Sequence, residues 1–138
     1  MYDTILVGTD GSESANRAIE HAMSTAEKYG AELHALTVVN TRRYGEPALS
    51  STELVLNELE DRGNEQLREV EERAQTRGID VTCDCHHGGP VEEILSYADD
   101  IDADMIVLGY QGRTHPGSTI GSTADGVIRG TDRVVQLV

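Results

Sequence analysis

Short apolar runs alternate along the chain with longer stretches that mix apolar and polar residues. Five of the runs predict β-strands, over residues 4–7 (TILV), 33–39 (LHALTVV), 80–86 (DVTCDCH), Met105–Leu108 (MIVL) and 134–138 (VVQLV). In the four stretches between them, apolar residues recur every three or four positions, which predicts helices. Strands that alternate with helices in this way indicate an α/β fold, with a parallel sheet covered by helices on both faces.

Cap and turn residues set the expected limits of the helices. We expect a helix from Ser12 to Gly30, a second from about residue 50 to Arg77, a third from Pro90 and a fourth from about Ser122 to Arg129. Gly63 falls on the apolar stripe of the second helix, where we expect it to bend or break that helix. Met105–Leu108 is wholly apolar, which favours a central place in the sheet.

Length and cysteine content predict one intracellular domain. The chain has 138 residues, the size of one compact domain, so we expect a single domain over residues 1–138. No apolar run approaches the ~20 residues that span a bilayer, and the N-terminus carries no basic and apolar leader. Cys83 and Cys85 would share one face of a strand, too close together for an ordinary disulfide. These features predict a cytoplasmic protein that is kept reduced and does not enter a membrane.

The charge balance narrows the range of partners. Acidic residues outnumber basic ones by 25 to 11, and the formal net charge is -14. A field of this sign repels nucleic-acid phosphates and anionic lipid surfaces, so we expect neither as a partner. Lys28 is the only lysine. High acidity with almost no lysine resembles the proteins of halophilic organisms, whose cytoplasm holds molar salt.

Residues 83–87 (CDCHH) raise the question of a metal site, because thiolate and imidazole ligands suit zinc or copper. The two thiols are also small enough to be ordinary packing groups on one face of a strand. His21, His34 and His115 are scattered along the sequence and form no second ligand cluster in it. We therefore favour a structural role for the two cysteines over a metal site.

Candidate binding chemistry follows three of the predicted strands, in residues 8–11 (GTDG), 38–40 (VVN) and 109–122 (GYQGRTHPGSTIGS). In an open parallel sheet, ligands bind outside the carboxyl ends of the strands, where these segments converge. The glycine-rich segment can present backbone N–H groups and hydroxyls to an anion. Gly121 and Ser122 stand at a helix start there, and Arg113 adds a cation. Glycine content by itself is equally typical of a solvent-facing loop.

The blocks VGTDGSE and ADMIVLGYQGR, with the Gly-Ser pair that opens the last helix, resemble the universal stress protein family over residues 4–138. The resemblance implies a Rossmann-like sheet of five parallel strands in the order 3-2-1-4-5. It also implies a homodimer that forms through the last strand, residues 134–138. One branch of that family binds ATP through the pattern G-x2-G-x9-G-[ST] after the fourth strand, whereas the other branch lacks those glycines and binds no nucleotide.

The resemblance implies an ATP site with residues from all three segments. Gly109 and Gly112 match the first two glycines of the pattern, and Gly121 with Ser122 matches the final pair. Asp10 matches the acidic residue beside the ribose and the metal-bound phosphates, which implies Mg²⁺ as a second ligand. The implied site also contains Gly8, Val38 (whose backbone would meet the adenine), Leu108, Arg113 and Thr123.

One departure from the family pattern keeps two hypotheses open. Eight residues separate Gly112 from Gly121 where the pattern has nine, and the missing residue falls in the loop that would wrap the phosphates. The first hypothesis is a sensor or regulator of the stress response that binds ATP or a related adenine nucleotide. The alternative is a dimeric interaction module of the same family that binds no nucleotide. No nucleophile–base pair is evident in the sequence, so we assign no catalytic residue and expect at most slow ATP hydrolysis.

The protein should be more stable in high salt than in dilute buffer. About 1 M salt shortens the Debye length to ~3 Å and so hides the mutual repulsion of the carboxylates. The thermal unfolding midpoint, followed by circular dichroism, should therefore rise between about 0.1 M and about 3 M KCl. A midpoint that stays flat over this span would contradict the halophilic interpretation.

Overall fold

The computed structural model of the chain describes residues 2–41, 50–110 and 120–138. Its strands are β1 (Thr4–Thr9), β2 (Glu32–Asn40), β3 (Val81–Gly88), β4 (Met105–Leu108) and β5 (Val134–Leu137). Its helices are α1 (Glu13–Tyr29), α2 (Ser50–Thr76), α3 (Pro90–Ile101) and α4 (Ser122–Gly130). Every predicted element is therefore present, close to its expected limits.

The five strands form one sheet in the order β3-β2-β1-β4-β5, and every neighbouring pair is parallel. The α/β class and the strand order that the family resemblance implies are thus confirmed. Met105–Leu108 lies inside the sheet, between the middle strand β1 and the edge strand β5, and all four of its residues are buried, as its wholly apolar sequence predicts. A wholly apolar sequence indicates that both faces of a strand are buried, and this holds for every interior strand of a sheet that helices cover on both faces.

Alternation along the strands sends side chains into two separate helical layers. Ile5 and Val7 pack in the layer of α1 and α2, whereas Leu6 and Ile106 pack in the layer of α3 and α4. The helices therefore cover both faces of the sheet, as the element order predicts. Within the described residues, no helix is long and apolar enough to cross a membrane.

Helix α1 begins and ends at the residues that the sequence predicts. The Ser12 hydroxyl accepts a hydrogen bond from the backbone N–H of Ala15 at 3.1 Å, which caps the first turn. Gly30 has a φ of 63°, in the left-handed region that glycine adopts most readily, and it ends the helix. Because α1 begins so soon after β1, the intervening turn stays at the carboxyl edge of the sheet.

Gly63 does not break α2, so the expectation of a break there is wrong. The helix is continuous from Ser50 to Thr76, and Gly63 is buried against β2. A Cβ atom at Gly63 would lie 2.9 Å from Cγ2 of Thr37 and 3.7 Å from Sγ of Cys85. Glycine is needed here because α2 lies so close to the sheet that a side chain has no room.

The two cysteines of β3 face α2 and pack beside the core of that layer as free thiols. Burial, with nearby carboxylates adding to its effect, raises the pKa of Cys83 to about 11, so this thiol stays protonated. His86 and His87 contact carboxylates of α3 and α2 respectively, on opposite faces of the sheet. Within the described residues, no three His, Cys, Asp or Glu side chains form a group that could hold a metal ion.

The carboxyl end of β4 lies directly against the first turn of α1. A Cβ atom on Gly109 would lie 2.7 Å from the backbone carbonyl carbon of Ser14 and 2.9 Å from the nitrogen of Ala15. Beside this contact, the N–H of Val138 donates to the carbonyl of Leu108 at 2.9 Å. The Ser14 hydroxyl donates to the carbonyl of Val138 at 3.3 Å. These contacts join α1, β4 and the residue after β5 at one edge of the sheet.

Replacing Gly109 with alanine should destabilise the protein by about 2–3 kcal/mol, because the new methyl group meets backbone atoms that cannot move aside. Gly130→Ala is the matched control, since the nearest atom to its Cβ would be a terminal methyl of Leu95, which can rotate. We expect that control to change the free energy of unfolding by less than about 1 kcal/mol. Urea unfolding in high-salt buffer measures the free energy of unfolding of both variants. Equal losses of stability in the two would contradict the close contact between Gly109 and the first turn of α1.

Candidate functional site

A cleft of about 280 Å³ opens at the carboxyl ends of β1, β2 and β4. The chain leaves β1 to form β2 on one side of it and later returns to form β4 on the other side. This change of direction is where ligands bind in open parallel sheets. The volume is near the lower end of the range for small-molecule pockets, roughly 300–1,000 Å³.

The turn after β1 forms one rim of the cleft and is held by its own side chains. Oδ1 of Asp10 accepts a hydrogen bond from the N–H of Ser12 at 2.9 Å, and Oγ1 of Thr9 accepts one from Gly11 at 3.3 Å. Gly11 has a φ of 79°, a conformation that favours glycine. The Asp10 side chain is therefore a turn residue and also an exposed carboxylate on the rim.

The end of β2 supplies backbone groups to the opposite rim. Pairing between β1 and β2 ends at Thr9 and Thr37, whereas β2 continues beside β3 as far as Asn40. The N–H of Thr41 donates a hydrogen bond to the carbonyl of Gly88, at the end of β3, at 3.3 Å. Backbone groups of successive residues point to alternate sides of a strand, so those of Val38 point to the β1 side. The Val38 carbonyl is thus directed to the place where β1 has ended and the cleft begins.

The start of α4 forms the third side of the cleft. The N–H of Gly121 donates to the carbonyl of Tyr110 at 2.8 Å. This bond differs from the expectation that Gly121 presents its own N–H to an anion. The first-turn N–H groups of Thr123 and Ala124 have no acceptor within the helix, and the helix dipole favours negative charge beside them. Together with the exposed Ser122, these groups make the α4 start a suitable phosphate-binding surface.

Most of the predicted site residues converge on this cleft. Gly112 and Arg113 lie outside the described residues. The eight others all line the cleft, namely Gly8, Asp10, Val38, Leu108, Gly109, Gly121, Ser122 and Thr123. Gly8 is close-packed, since a Cβ there would lie 2.8 Å from Cδ2 of Leu108. Leucine and isoleucine side chains from β2, β4 and α3 make the adjoining surface apolar.

Helix α2 contributes lining residues that the sequence analysis did not predict. Arg62 and Gln66 reach the cleft because Gly63, between them, lets α2 lie close to β2. Among the lining residues that the structure describes, Arg62 is the one basic side chain, and its guanidinium lies 3.5 Å from the Glu58 carboxylate. A glycine on an apolar stripe, next to an arginine, is the signal in the sequence that could have indicated this wall.

The described part of the cleft lining thus combines an apolar surface, strand-end carbonyls, a helix N-terminus, one carboxylate and one guanidinium. Such a set can hold a flat heterocycle at one end and an anionic group at the other. The described lining residues include neither histidine nor cysteine, the usual general base and activated thiol. The arrangement is suited to binding.

Comparison with known proteins agrees with the fold and the motifs. The model of the universal stress protein family matches residues 1–138. Universal stress protein MJ0531 of Methanocaldococcus jannaschii is 34% identical over 131 residues, which cover 94% of this chain and 77% of that protein.

Solved structures give the same result. The structure of universal stress protein UspA from Lactobacillus plantarum superposes with a TM-score of 0.93 at 28% identity, covering 99% of this chain and 97% of that one. A universal stress protein solved in complex with cAMP superposes with a TM-score of 0.77 at 28% identity, covering 99% of this chain and 97% of that one. The chain therefore belongs to the universal stress protein family.

Proposed function

We propose that this protein binds an adenine nucleotide, ATP or a close relative, in the cleft at the carboxyl ends of β1, β2 and β4. The observation that carries the proposal is that eight of the ten site residues implied by the family resemblance line that one cleft. A relative that is 28% identical and was solved with cAMP supports an adenine nucleotide as the ligand class. In the cell, the protein would act as a sensor or regulator of the stress response, in a salt-rich cytoplasm.

The two ends of the cleft suit the two ends of a nucleotide. The backbone carbonyl of Val38 can accept a hydrogen bond from the exocyclic amine of adenine, beside the apolar surface that Leu108 helps to form. The N–H groups at the start of α4 and the Ser122 hydroxyl suit the phosphates. Arg62, from α2, supplies a positive charge that favours an anion in a protein of net charge -14.

Asp10 is suited to hold Mg²⁺ together with the phosphates. Magnesium keeps several water ligands and commonly takes one or two carboxylates plus substrate phosphates. One exposed carboxylate at the cleft rim fits that pattern, and Ser12 and Thr9 hold the turn that carries it. When bound, the ion would neutralise phosphate charge beside Asp10. Nucleotide binding does not imply turnover, and we propose no catalytic residue.

The second proposal concerns self-association through residues 134–138. β5 is an edge strand, and its Val134 side chain is 48% exposed, whereas Val135 and Leu137 pack into the layer of α3 and α4. An edge strand with an exposed apolar side chain is a template for pairing with another strand. A homodimer in which two copies of β5 meet would cover it. This surface is also what the alternative hypothesis, an interaction module without nucleotide, would use.

Isothermal titration should reveal one saturable MgATP site on the protein in about 2 M KCl, where surface repulsion is screened. Ser122→Glu should weaken MgATP binding about tenfold, because the new carboxylate would repel the phosphates. The variant should still fold, since an acidic residue at a helix N-terminus is favourable. Ser24→Glu is the matched control, since Ser24 lies near the other end of the molecule beside Arg77 and should leave affinity unchanged. If titration with ATP, ADP and AMP releases or absorbs no heat of binding, the result would favour the alternative hypothesis, an interaction module that binds no nucleotide.

Light scattering in high salt should return twice the 15.0 kDa chain mass for the wild-type protein. Val134→Lys should return the single-chain mass, because an edge lysine opposes strand pairing. Leu54→Lys replaces a 69% exposed side chain of α2, a helix that packs on β2 and β3 rather than on β5, and should remain dimeric. A wild-type protein of single-chain mass would count against the proposed dimer.

A further inference from the structure

A chain of hydrogen-bonded side chains joins α3 to the β2–β3 half of the sheet. Oε1 of Glu32 lies 2.6 Å from Nε2 of His34, and Nδ1 of His34 lies 3.1 Å from the hydroxyl of Tyr97. The Tyr97 hydroxyl also lies 2.7 Å from Oδ2 of Asp84. His34 and Tyr97 are buried, with 8% and 7% of their surfaces exposed. We call these four residues the Glu32–Asp84 cluster.

The cluster is one hydrogen short in its ordinary protonation state. Its three contacts need three hydrogens, one for each pair of heavy atoms. Tyrosine supplies one, a neutral imidazole supplies one, and ionised carboxylates supply none. Whichever way the tyrosine hydroxyl and the imidazole tautomer are arranged, one contact then brings two acceptors together. All three hydrogen bonds form only when the cluster holds one additional proton.

We propose that the Glu32–Asp84 cluster is a proton-binding site, in which the folded protein carries one proton on His34 and thereby fastens α3 to β2 and β3. Imidazole is the strongest base of the set, so the proton belongs there rather than on a carboxylate. In this state Nε2–H of His34 donates to Glu32, and Nδ1–H donates to Tyr97. The Tyr97 hydroxyl then donates to Asp84.

The groups around His34 favour a positive ring. Glu32 contacts the ring from its own strand, and Asp84 of β3 contacts the Tyr97 hydroxyl, which in turn contacts the ring. The edge of the His86 ring meets Tyr97 with centroids 5.4 Å apart, and His86 in turn contacts Glu93 of α3. Burial, and then the hydrogen bond to Asp84, raise the pKa of Tyr97, so the phenol remains a donor over the working pH range.

The sign of the pH effect follows from the proton count. An unfolded histidine loses its proton near pH 6.5, whereas the three contacts of the folded cluster are complete only while the additional proton is held. Stability from the cluster is therefore complete below about pH 6.5 and is lost as the pH rises. In that range the unfolding equilibrium constant should grow up to about tenfold per pH unit, the value for one proton released on unfolding.

Amide variants at either end of the cluster test directly whether its three contacts lack one hydrogen. In Glu32→Gln the new amide can donate to Nε2 of His34, and in Asp84→Asn it can donate to the Tyr97 hydroxyl. Either variant supplies the missing hydrogen, so a neutral imidazole then completes all three contacts. Urea unfolding between about pH 6 and pH 8 should therefore show a pH slope that is flatter by up to one proton in both variants. Glu69→Gln, on the exposed side of α2, removes the same charge and should keep the wild-type slope.

Nitrogen-15 spectra of the His34 ring locate the proton. At about pH 7.5, a full pH unit above the value for free histidine, both ring nitrogens should carry hydrogen in the wild type. In either amide variant only one should do so. A neutral His34 ring in the folded wild type overturns the proposal, whether or not the variants fold. An equal pH slope in the wild type and in both amide variants overturns it as well.

Discussion

All five strands point the same way, and this polarity decides where the other parts of the molecule lie. Parallel neighbours cannot be joined by tight turns, so each connection crosses a face of the sheet as a helix. Both faces are then covered, and the core fills with aliphatic side chains. The turns that leave β1, β2 and β4 meet at one edge of the sheet, where the Asp10 carboxylate and backbone groups form the cleft.

Close backbone approach gives that edge its shape. Gly109 lets β4 end against the first turn of α1, and Gly63 lets α2 lie on β2. The second contact brings Arg62 and Gln66 into the wall of the cleft, so a packing requirement on one side of the helix places a charge at the site. The family resemblance points to the glycine-rich segment after β4, whereas the structure adds α2 as an equal partner in the wall.

The protein handles its charges differently at the surface and in the interior. At the surface, Arg77, the residue after α2, contacts both Glu20 and Glu27 of α1, while most other carboxylates of the described residues face solvent. In the interior, His34 and Tyr97 sit in a chain of contacts that ends on a carboxylate at each side. The surface carboxylates depend on dissolved cations for screening, and the interior chain needs one proton. Salt concentration and pH are therefore the two solution conditions on which we expect the stability of the fold to depend.

The sequence by itself determined the α/β class, the number and limits of the elements, and the strand-end segments that line the cleft, but not the wall that α2 adds. Those features depend on local periodicity, caps and turn residues, which short windows of sequence contain. The strand order came from the resemblance to a family. Only the tertiary structure showed that Gly63 is the point where α2 packs against β2 rather than a break in the helix. It also showed that the Gly121 N–H donates to the carbonyl of Tyr110. It also brought His34 to Tyr97, 63 positions along the chain, because contacts between distant segments depend on how helices pack on a sheet.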